Sequence, residues 1–223
     1  MRIEKLLIAN RGEIAIRIAR TAAEMGIRTL AVFSEDDATS LHTRGADEAF
    51  ALAGTGPAAY LDAACIISLA RRTGCDAIHP GYGFLSENAA FARLCAEAGI
   101  RFVGPRPETL ALFGDKAAAR QFVQRCGVPV IEGTPGAVSL AEAEAFLAAL
   151  GPGGAVMVKA VAGGGGRGMR PVMAPDQLAE AVARCRAEAE QAFGNGALYV
   201  ERLFPRARHI EVQVVGDGTG AVS

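Results

Sequence analysis

Residues 5–34, KLLIANRGEIAIRIARTAAEMGIRTLAVFS, carry three successive patterns. Residues 5–10 are short, apolar and punctuated by Arg11-Gly12, which reads as a buried strand. Residues 13–25 place Ile14, Ile16, Ile18, Ala22 and Met25 at mixed helical spacing, and Gly26 is a natural C-terminal stop. Residues 29–34 are the next apolar run. Parallel strands need a crossover of about a dozen residues or more, usually a helix, so strand–helix–strand at this length predicts a parallel sheet.

The alternation continues outward. Residues 61–73 read as a helix followed by Gly74, and 76–79 as a strand that runs into Pro80-Gly81-Tyr82-Gly83. Residues 87–98 read as a helix with Ser86 as its cap, and 101–103 as a strand. The expectation is an α/β parallel-sheet domain over 1–113, with loops at the C-terminal ends of its strands open to ligands. Residues 114–131 read as a connector helix and linker, with Asp115 as cap and Gly127 as stop. A small α+β domain follows over 132–203. Its helices are 137–150 and 176–193, and its strands are 155–160, 169–173 and 197–201. Pro171 confines its strand to an edge or a bulge. Residues 209–215, HIEVQVV, alternate like a strand before the turn signal of 216–220, and only three residues remain. Residues 204–223 therefore read as the start of a third domain, and the chain as the front of a longer protein.

Composition narrows the function class. The formal net charge is −1, with 51% hydrophobic and 21% charged residues. That is an ordinary soluble composition with no basic run, which argues against nucleic acid as a partner. No apolar run approaches the roughly 18 residues of a membrane span, and the start carries no secretory signal. Cys65, Cys75, Cys95, Cys126 and Cys185 are odd in number and widely spaced, which predicts reduced thiols, cytoplasmic in type and used as small core residues. Three scattered histidines and no H-E-x-x-H pattern predict no metal site.

Glycine is concentrated. The chain has 27 in 223 residues, about 12% against a usual share of about 7%, and the six residues 163–168 (GGGGRG) include five of them. The run formally contains G-x-G-x-x-G, but a dinucleotide fingerprint follows a strand and opens a helix, whereas this one lies between two expected strands. Strand–glycine loop–strand suggests a flap over a nucleotide triphosphate, because glycine lets backbone N–H groups approach phosphate oxygens. A surface hairpin is the competing reading of the glycines alone. Lys159, four residues before the run, and Arg167 within it favour the flap. No G-x-x-x-x-G-K-[ST] is present. Lys116 reads as a solvated helix residue unless it acts with Lys159, and Glu201 equally as a strand end or as part of a backbone segment facing an adenine edge. The segment HPGYGFLSEN (79–88) fixes a tight loop, with Tyr82 and Glu87 as polar contributors to a second pocket.

Together, IANRGEIAIR (8–17), HPGYGFLSEN (79–88), FVGP (102–105), GDK (114–116), VKA with GGGGRGMR (158–170), FGNGALYVE (193–201) and RHIEVQV (208–214) resemble the biotin carboxylase component of biotin-dependent carboxylases. The resemblance runs through almost the whole chain, with a pyruvate-carboxylase flavour near residues 193–213. It implies an ATP-grasp fold: a pre-ATP-grasp domain, a small lid domain and a larger domain beyond. ATP would lie between the last two. By this resemblance Lys116 and Lys159 contact ATP, Gly165 and Gly166 cover its triphosphate and Met169 packs near the base. Glu201, Arg202 and Leu203 form the adenine hinge, and His209 lies beside the nucleotide. Tyr82, Gly83 and Glu87 border the bicarbonate and biotin pocket.

The implied reaction is ATP-dependent carboxylation of biotin by bicarbonate through carboxyphosphate. Mg2+ is the implied companion of ATP, with its acidic ligands and the catalytic groups beyond residue 223. The implied partners are a biotin carboxyl carrier, a carboxyltransferase and a second copy in a homodimer. An ATP-grasp ligase of the carbamoyl-phosphate synthase type and a non-catalytic nucleotide-binding or assembly remnant are the alternatives. A dinucleotide-dependent oxidoreductase ranks last.

Overall fold

The structure, a computed structural model, describes residues 2–162, 168–208, 210–216 and 220–222. The chain divides into two units, Met1–Asp115 and Lys116–Ser223.

The first unit contains β1 (Lys5–Ile8), α1 (Gly12–Glu24), β2 (Arg28–Phe33), β3 (Glu48–Ala51), α2 (Gly56–Ala59), α3 (Ala63–Arg72), β4 (Ala77–His79), α4 (Ala89–Glu97), β5 (Arg101–Phe102) and α5 (Pro107–Gly114). Its five strands are all parallel, in the order β3-β2-β1-β4-β5. Side-chain alternation along β1 feeds two cores. Leu7 and Ala9 join Leu30, Val32, Tyr60, Ile66, Ile78 and Phe91 on one face. Leu6 and Ile8 meet Ala15, Ala19 and Ala22 of α1 on the other. A strand buried on both faces reads as a continuous apolar run, which is why residues 5–10 are so legible.

Local differences have local causes. Helix α4 starts at Ala89, and its cap is Asn88, whose Oδ1 accepts from the Phe91 N–H at 2.9 Å. Ser86 lies too early and its backbone N–H closes a turn onto Gly83 instead. Strand β3 is short, half-exposed and at the sheet edge, so its pattern is weak. The cysteines separate: Cys75, Cys95 and Cys185 are buried, Cys65 is intermediate and Cys126 is exposed at the end of a helix, so the core reading fails for Cys126.

The second unit contains α6 (Lys116–Arg125), α7 (Leu140–Ala149), β6 (Val156–Ala160), β7 (Met169–Val172), α8 (Leu178–Phe193), β8 (Leu198–Arg202), β9 (Val215–Gly216) and β10 (Ala221–Val222). Strands β7-β6-β8 form an antiparallel sheet. Pro171 falls on the edge strand β7, where a missing N–H costs least. Helix α7 opens on a capping box, with Ser139 and Glu142 each satisfying the other's backbone N–H. Val156, Val158, Ala160, Leu198 and Val200 face α7 and α8 and bury Leu147, Leu178, Ala181, Val182 and Cys185.

The alternating run 209–215 does not become a full strand. Only Val215 and Gly216 pair, with Val222 and Ala221, and residues 210–214 are not in a strand. Ile210, Val212 and Val214 are exposed, and among the described residues no strand lies beside them to complete a ladder.

Candidate functional site

In the first unit the chain builds β1, β2 and β3 toward one edge, then crosses to place β4 and β5 on the other side of β1. The point of reversal is therefore between β1 and β4. Open α/β sheets bind ligands in the crevice outside the strand ends at such a point. The loops there are 9–11 and 80–83, and they are stitched together. Ala9 N–H donates to the His79 carbonyl at 2.9 Å. Asn10 Nδ2 donates to the carbonyls of Pro80 at 2.6 Å and Tyr82 at 2.9 Å, while its Oδ1 accepts from the Arg11 N–H at 2.9 Å. Gly81 has φ +65°, and a Cβ there would lie 2.7 Å from both Asn10 Nδ2 and Ile14 Cγ2, so only glycine fits. Phe84, with φ +43°, is held in the left-handed region while its ring stacks on Tyr60 at 5.1 Å.

This stitching leaves the polar ends of the loop outward. Tyr82 is 67% exposed, and Gly83 and Glu87 are exposed too. His79 Nδ1 accepts from the Gly81 N–H at 3.0 Å, which fixes the neutral tautomer with the proton on Nε2. Burial lowers the His79 pKa from its ordinary value, in the same sense. His79, Gly81, Tyr82 and Arg17 border a groove of about 550 Å³ that is otherwise mostly apolar.

Beside this loop lies a fixed ion pair. Arg11 reaches both carboxylate oxygens of Asp37. Asp37 also accepts from Tyr60 Oη at 2.8 Å, Ser40 Oγ at 2.9 Å and Ser34 Oγ at 3.4 Å. The Arg11 hydrogen bonds, opposed by desolvation, hold the Asp37 carboxyl well below the ordinary carboxylate range.

In the second unit the sheet face opposite α7 and α8 carries the candidate nucleotide residues. Val156, Val158 and Ala160 point to the helices, so Met157 and Lys159 point the other way. The register puts Lys159 opposite Tyr199 and Met169, and Met157 opposite Glu201. Lys159 and Glu201 are thus diagonal neighbours across two strands, within reach of long side chains. Lys159 Nζ forms an ion pair with Glu201 Oε1. Arg120 of α6 meets the other carboxylate oxygen, Oε2, at 3.5 Å. Glu201 is only 8% exposed. Burial first and the Glu201 charge second push the neighbouring Tyr199 hydroxyl up to about 12.

Arg202 and Leu203 continue from Glu201. The Arg202 N–H donates to the Glu132 carbonyl and the Leu203 N–H to that of Ala155, both at 2.8 Å. The Arg202 side chain pairs with Glu132 at 3.1 Å and lies over the Phe204 ring. Lys116 heads α6 one turn before Arg120, so the two share a helix face. The structure therefore gathers Lys159, Met169 and Glu201 on one sheet face and places Lys116, Arg202 and Leu203 on adjoining segments. Gly165, Gly166 and His209 lie outside the described residues, as does all of the glycine run except Gly168, and β6 and β7 flank that run as an antiparallel pair. Tyr82, Gly83 and Glu87 belong to the first unit. Sequence reading missed Asn10, Asp37 and Arg120. Asn10 could have been found as the polar residue closing an apolar strand, and Arg120 as the cation one turn after Lys116. Asp37 carried no local signal. Among the described residues no group of three or more His, Cys, Asp or Glu could hold a metal ion, and no helix is long and apolar enough to cross a membrane.

A parallel α/β unit with its crevice at the β1/β4 reversal, followed by a helix-backed antiparallel sheet in which a glycine-rich sequence falls between two paired strands, defines an ATP-grasp type of protein. Comparison with known proteins agrees. Residues 2–110 match the family model described as biotin carboxylase, N-terminal domain. Residues 115–222 match that of the carbamoyl-phosphate synthase L chain, ATP binding domain. Pyruvate carboxylase of Bacillus subtilis is 52% identical over 99% of this chain and 19% of its own length. The crystal structure of a Campylobacter jejuni biotin carboxylase–β,γ-ATP complex superposes with a TM-score of 0.94 at 44% identity, over 99% of this chain and 50% of that one. The biotin carboxylase domain dimer of Hydrogenobacter thermophilus 2-oxoglutarate carboxylase, in complex with MgADP, ADP and bicarbonate, gives 0.87 at 42% identity, over 92% and 45%. The chain belongs to the biotin carboxylase family and carries its N-terminal and ATP-binding domains. It spans about a fifth of the length of the pyruvate carboxylases it matches (19%).

Proposed function

We propose that this chain supplies the nucleotide-handling part of an ATP-dependent biotin carboxylase, in which bicarbonate attacks the γ-phosphate of ATP and the activated carboxyl group passes to N1 of biotin. The observation that carries the reading is the sheet face of the second unit. There Lys159 and Arg120 share the single carboxylate Glu201, which leaves that trio with net charge +1 beside the segment that bears the glycine loop. An excess cation next to a glycine loop suits a triphosphate, whose transfer depends on positioning and charge neutralisation. Lys116 and Lys159 would meet phosphates. Met169 would pack near the base, and Gly165, Gly166 and His209 would complete the nucleotide contacts. Because the Arg202 and Leu203 N–H groups are already engaged, the hinge of Glu201, Arg202 and Leu203 would meet the adenine edge through other backbone groups. Mg2+ would arrive with the nucleotide, and among the described residues no group of three or more His, Cys, Asp or Glu could hold it.

Tyr82, Gly83 and Glu87, at the β1/β4 reversal, would border the bicarbonate and biotin pocket. In this reading 1–113 is the pre-ATP-grasp domain, 114–131 the connector, 132–203 the lid and 204–223 the start of the next domain. A carrier and a carboxyltransferase would be its partners, a second copy its dimer mate and the cytoplasm its compartment. The Hydrogenobacter dimer supports the homodimer. The test is ADP release and transfer of labelled bicarbonate to free biotin by the protein as its source produces it. The expected result is ADP release that requires bicarbonate, with label appearing in biotin. Nucleotide turnover coupled to glutamine or ammonia instead would move the chain to the carbamoyl-phosphate synthase type.

A further inference from the structure

The Glu201 carboxylate is buried and faces two cations, although one would neutralise it. Arg120 is held independently of Lys159. Its Nη1 meets Glu201 Oε2, and its Nη2 also donates to the Ile131 carbonyl. Gly133 makes room for this. A Cβ there would stand 2.9 Å from Arg120 Nη2 and 3.0 Å from Glu201 Cβ, and Gly133 bridges to Glu201 on the outer edge of β8. Around that carboxylate, Thr134 ties the same loop to β8, with its N–H donating to the Val200 carbonyl at 2.9 Å. The loop, the arginine and the carboxylate form one fixed assembly. Lys159, on a long unbranched stem and with its side chain 22% exposed, joins this assembly through its ion pair with Glu201.

The geometry points to Arg120 as the positioning residue that frees Lys159 for a phosphate. This rests on the nucleotide reading given above and deepens it. In the structure Lys159 is paired with Glu201. To meet a phosphate it must leave that carboxylate, and a buried carboxylate without a partner is strongly unfavourable. Arg120 stays on Glu201 when Lys159 turns away, so the departing ammonium leaves behind a neutral pair. With a single cation, every phosphate contact by Lys159 would strand Glu201. Arg120 therefore acts through Lys159 and touches no substrate itself.

The test is calorimetric titration of the protein, as its source produces it, with MgADP and separately with adenosine. Arg120→Met keeps the length of the side chain and removes its charge. It is expected to raise the Kd for MgADP about tenfold and to leave adenosine binding unchanged, because adenosine offers Lys159 no phosphate. Arg120→Lys keeps a cation on Glu201 and is expected to stay within about threefold of wild type. In Arg120→Met/Glu201→Gln no charge remains to be stranded, and MgADP affinity is expected to return to within about threefold.

In turnover, Arg120→Met raises the KM for ATP and leaves kcat unchanged. Thermal unfolding of each variant reports its folding, and Arg120→Lys and the double variant carry the test if Arg120→Met does not fold. Three results would overturn the inference: unchanged MgADP affinity in Arg120→Met, an equal loss for adenosine, or a loss that persists in the double variant. A wild-type protein that binds neither MgADP nor MgATP would overturn the nucleotide reading and this inference with it. Wild-type binding with no rescue removes this inference alone.

Discussion

Each unit grips a buried carboxylate with arginine, and the charge count separates the two grips. In the first unit Asp37, among the described residues, pairs with Arg11 alone and is completed by three hydroxyls, Tyr60, Ser40 and Ser34. One cation meets one anion, every oxygen is occupied, and nothing is left over for a ligand. In the second unit Glu201 faces both Arg120 and Lys159 and leaves a positive charge unspent. A closed pair of the first kind fixes a loop. An over-supplied pair of the second kind can give up a cation to an incoming anion. Burial does not distinguish them, since both carboxylates are nearly inaccessible.

The largest expected effect would break the comparison most directly. Lys159→Ala should lower kcat/KM for ATP-dependent biotin carboxylation about 100-fold, on the order of 3 kcal/mol of transition-state stabilisation, with unchanged thermal unfolding. An unchanged rate would show that the spare charge does no chemistry. Asp37→Asn should do the opposite. It should lower the free energy of unfolding in urea by about 3 kcal/mol and leave MgADP affinity as it was.

The pH dependence of that difference has a defined sign. Asp37 has a depressed folded pKa. Its contribution is therefore full above the ordinary carboxylate value of about 4 and is lost as pH falls below it toward the folded value. The gap between wild type and Asp37→Asn should be wide at neutral pH and shrink on acidification, as urea titrations at several pH values would read. Gly81→Ala should cost about 2 kcal/mol, because the new Cβ meets Asn10 and Ile14 in a left-handed backbone. Its urea midpoint is the check. Smallest of all, Ser139→Ala removes one half of the α7 capping box and should cost about 1 kcal/mol of unfolding free energy, with no change in nucleotide affinity.

The parallel sheet was legible because β1, β2 and β4 are buried and their apolar runs are nearly uninterrupted. Strand β3 escaped because an edge strand with alternating exposure in four residues resembles a loop. The reversal between β1 and β4, which singles out the 80–83 loop, follows from strand order and cannot be seen in a linear pattern. In the second unit Lys159 and the glycine run stood out by residue type. Glu201 was ambiguous alone, because what makes it unusual is a diagonal neighbour 42 positions away and an arginine 81 positions away. Arg120 could be noticed only as a cation one turn after Lys116, and its role was hidden for the same reason. A cation on an exposed-looking helix gains meaning only when the register of β6 and β8 brings a carboxylate beneath it. The 209–215 alternation misled because it describes a strand's faces without supplying a partner for its edges.

The most direct test of the account is hydrogen–deuterium exchange with and without MgADP on the protein as its source produces it. The account predicts slowed exchange in the second unit, at residues 155–160 and 198–203 around Lys159 and Glu201, with the amides of 34–40 beside Asp37 unchanged. Protection around Arg11 and Asp37 with none around Lys159 and Glu201 would contradict it.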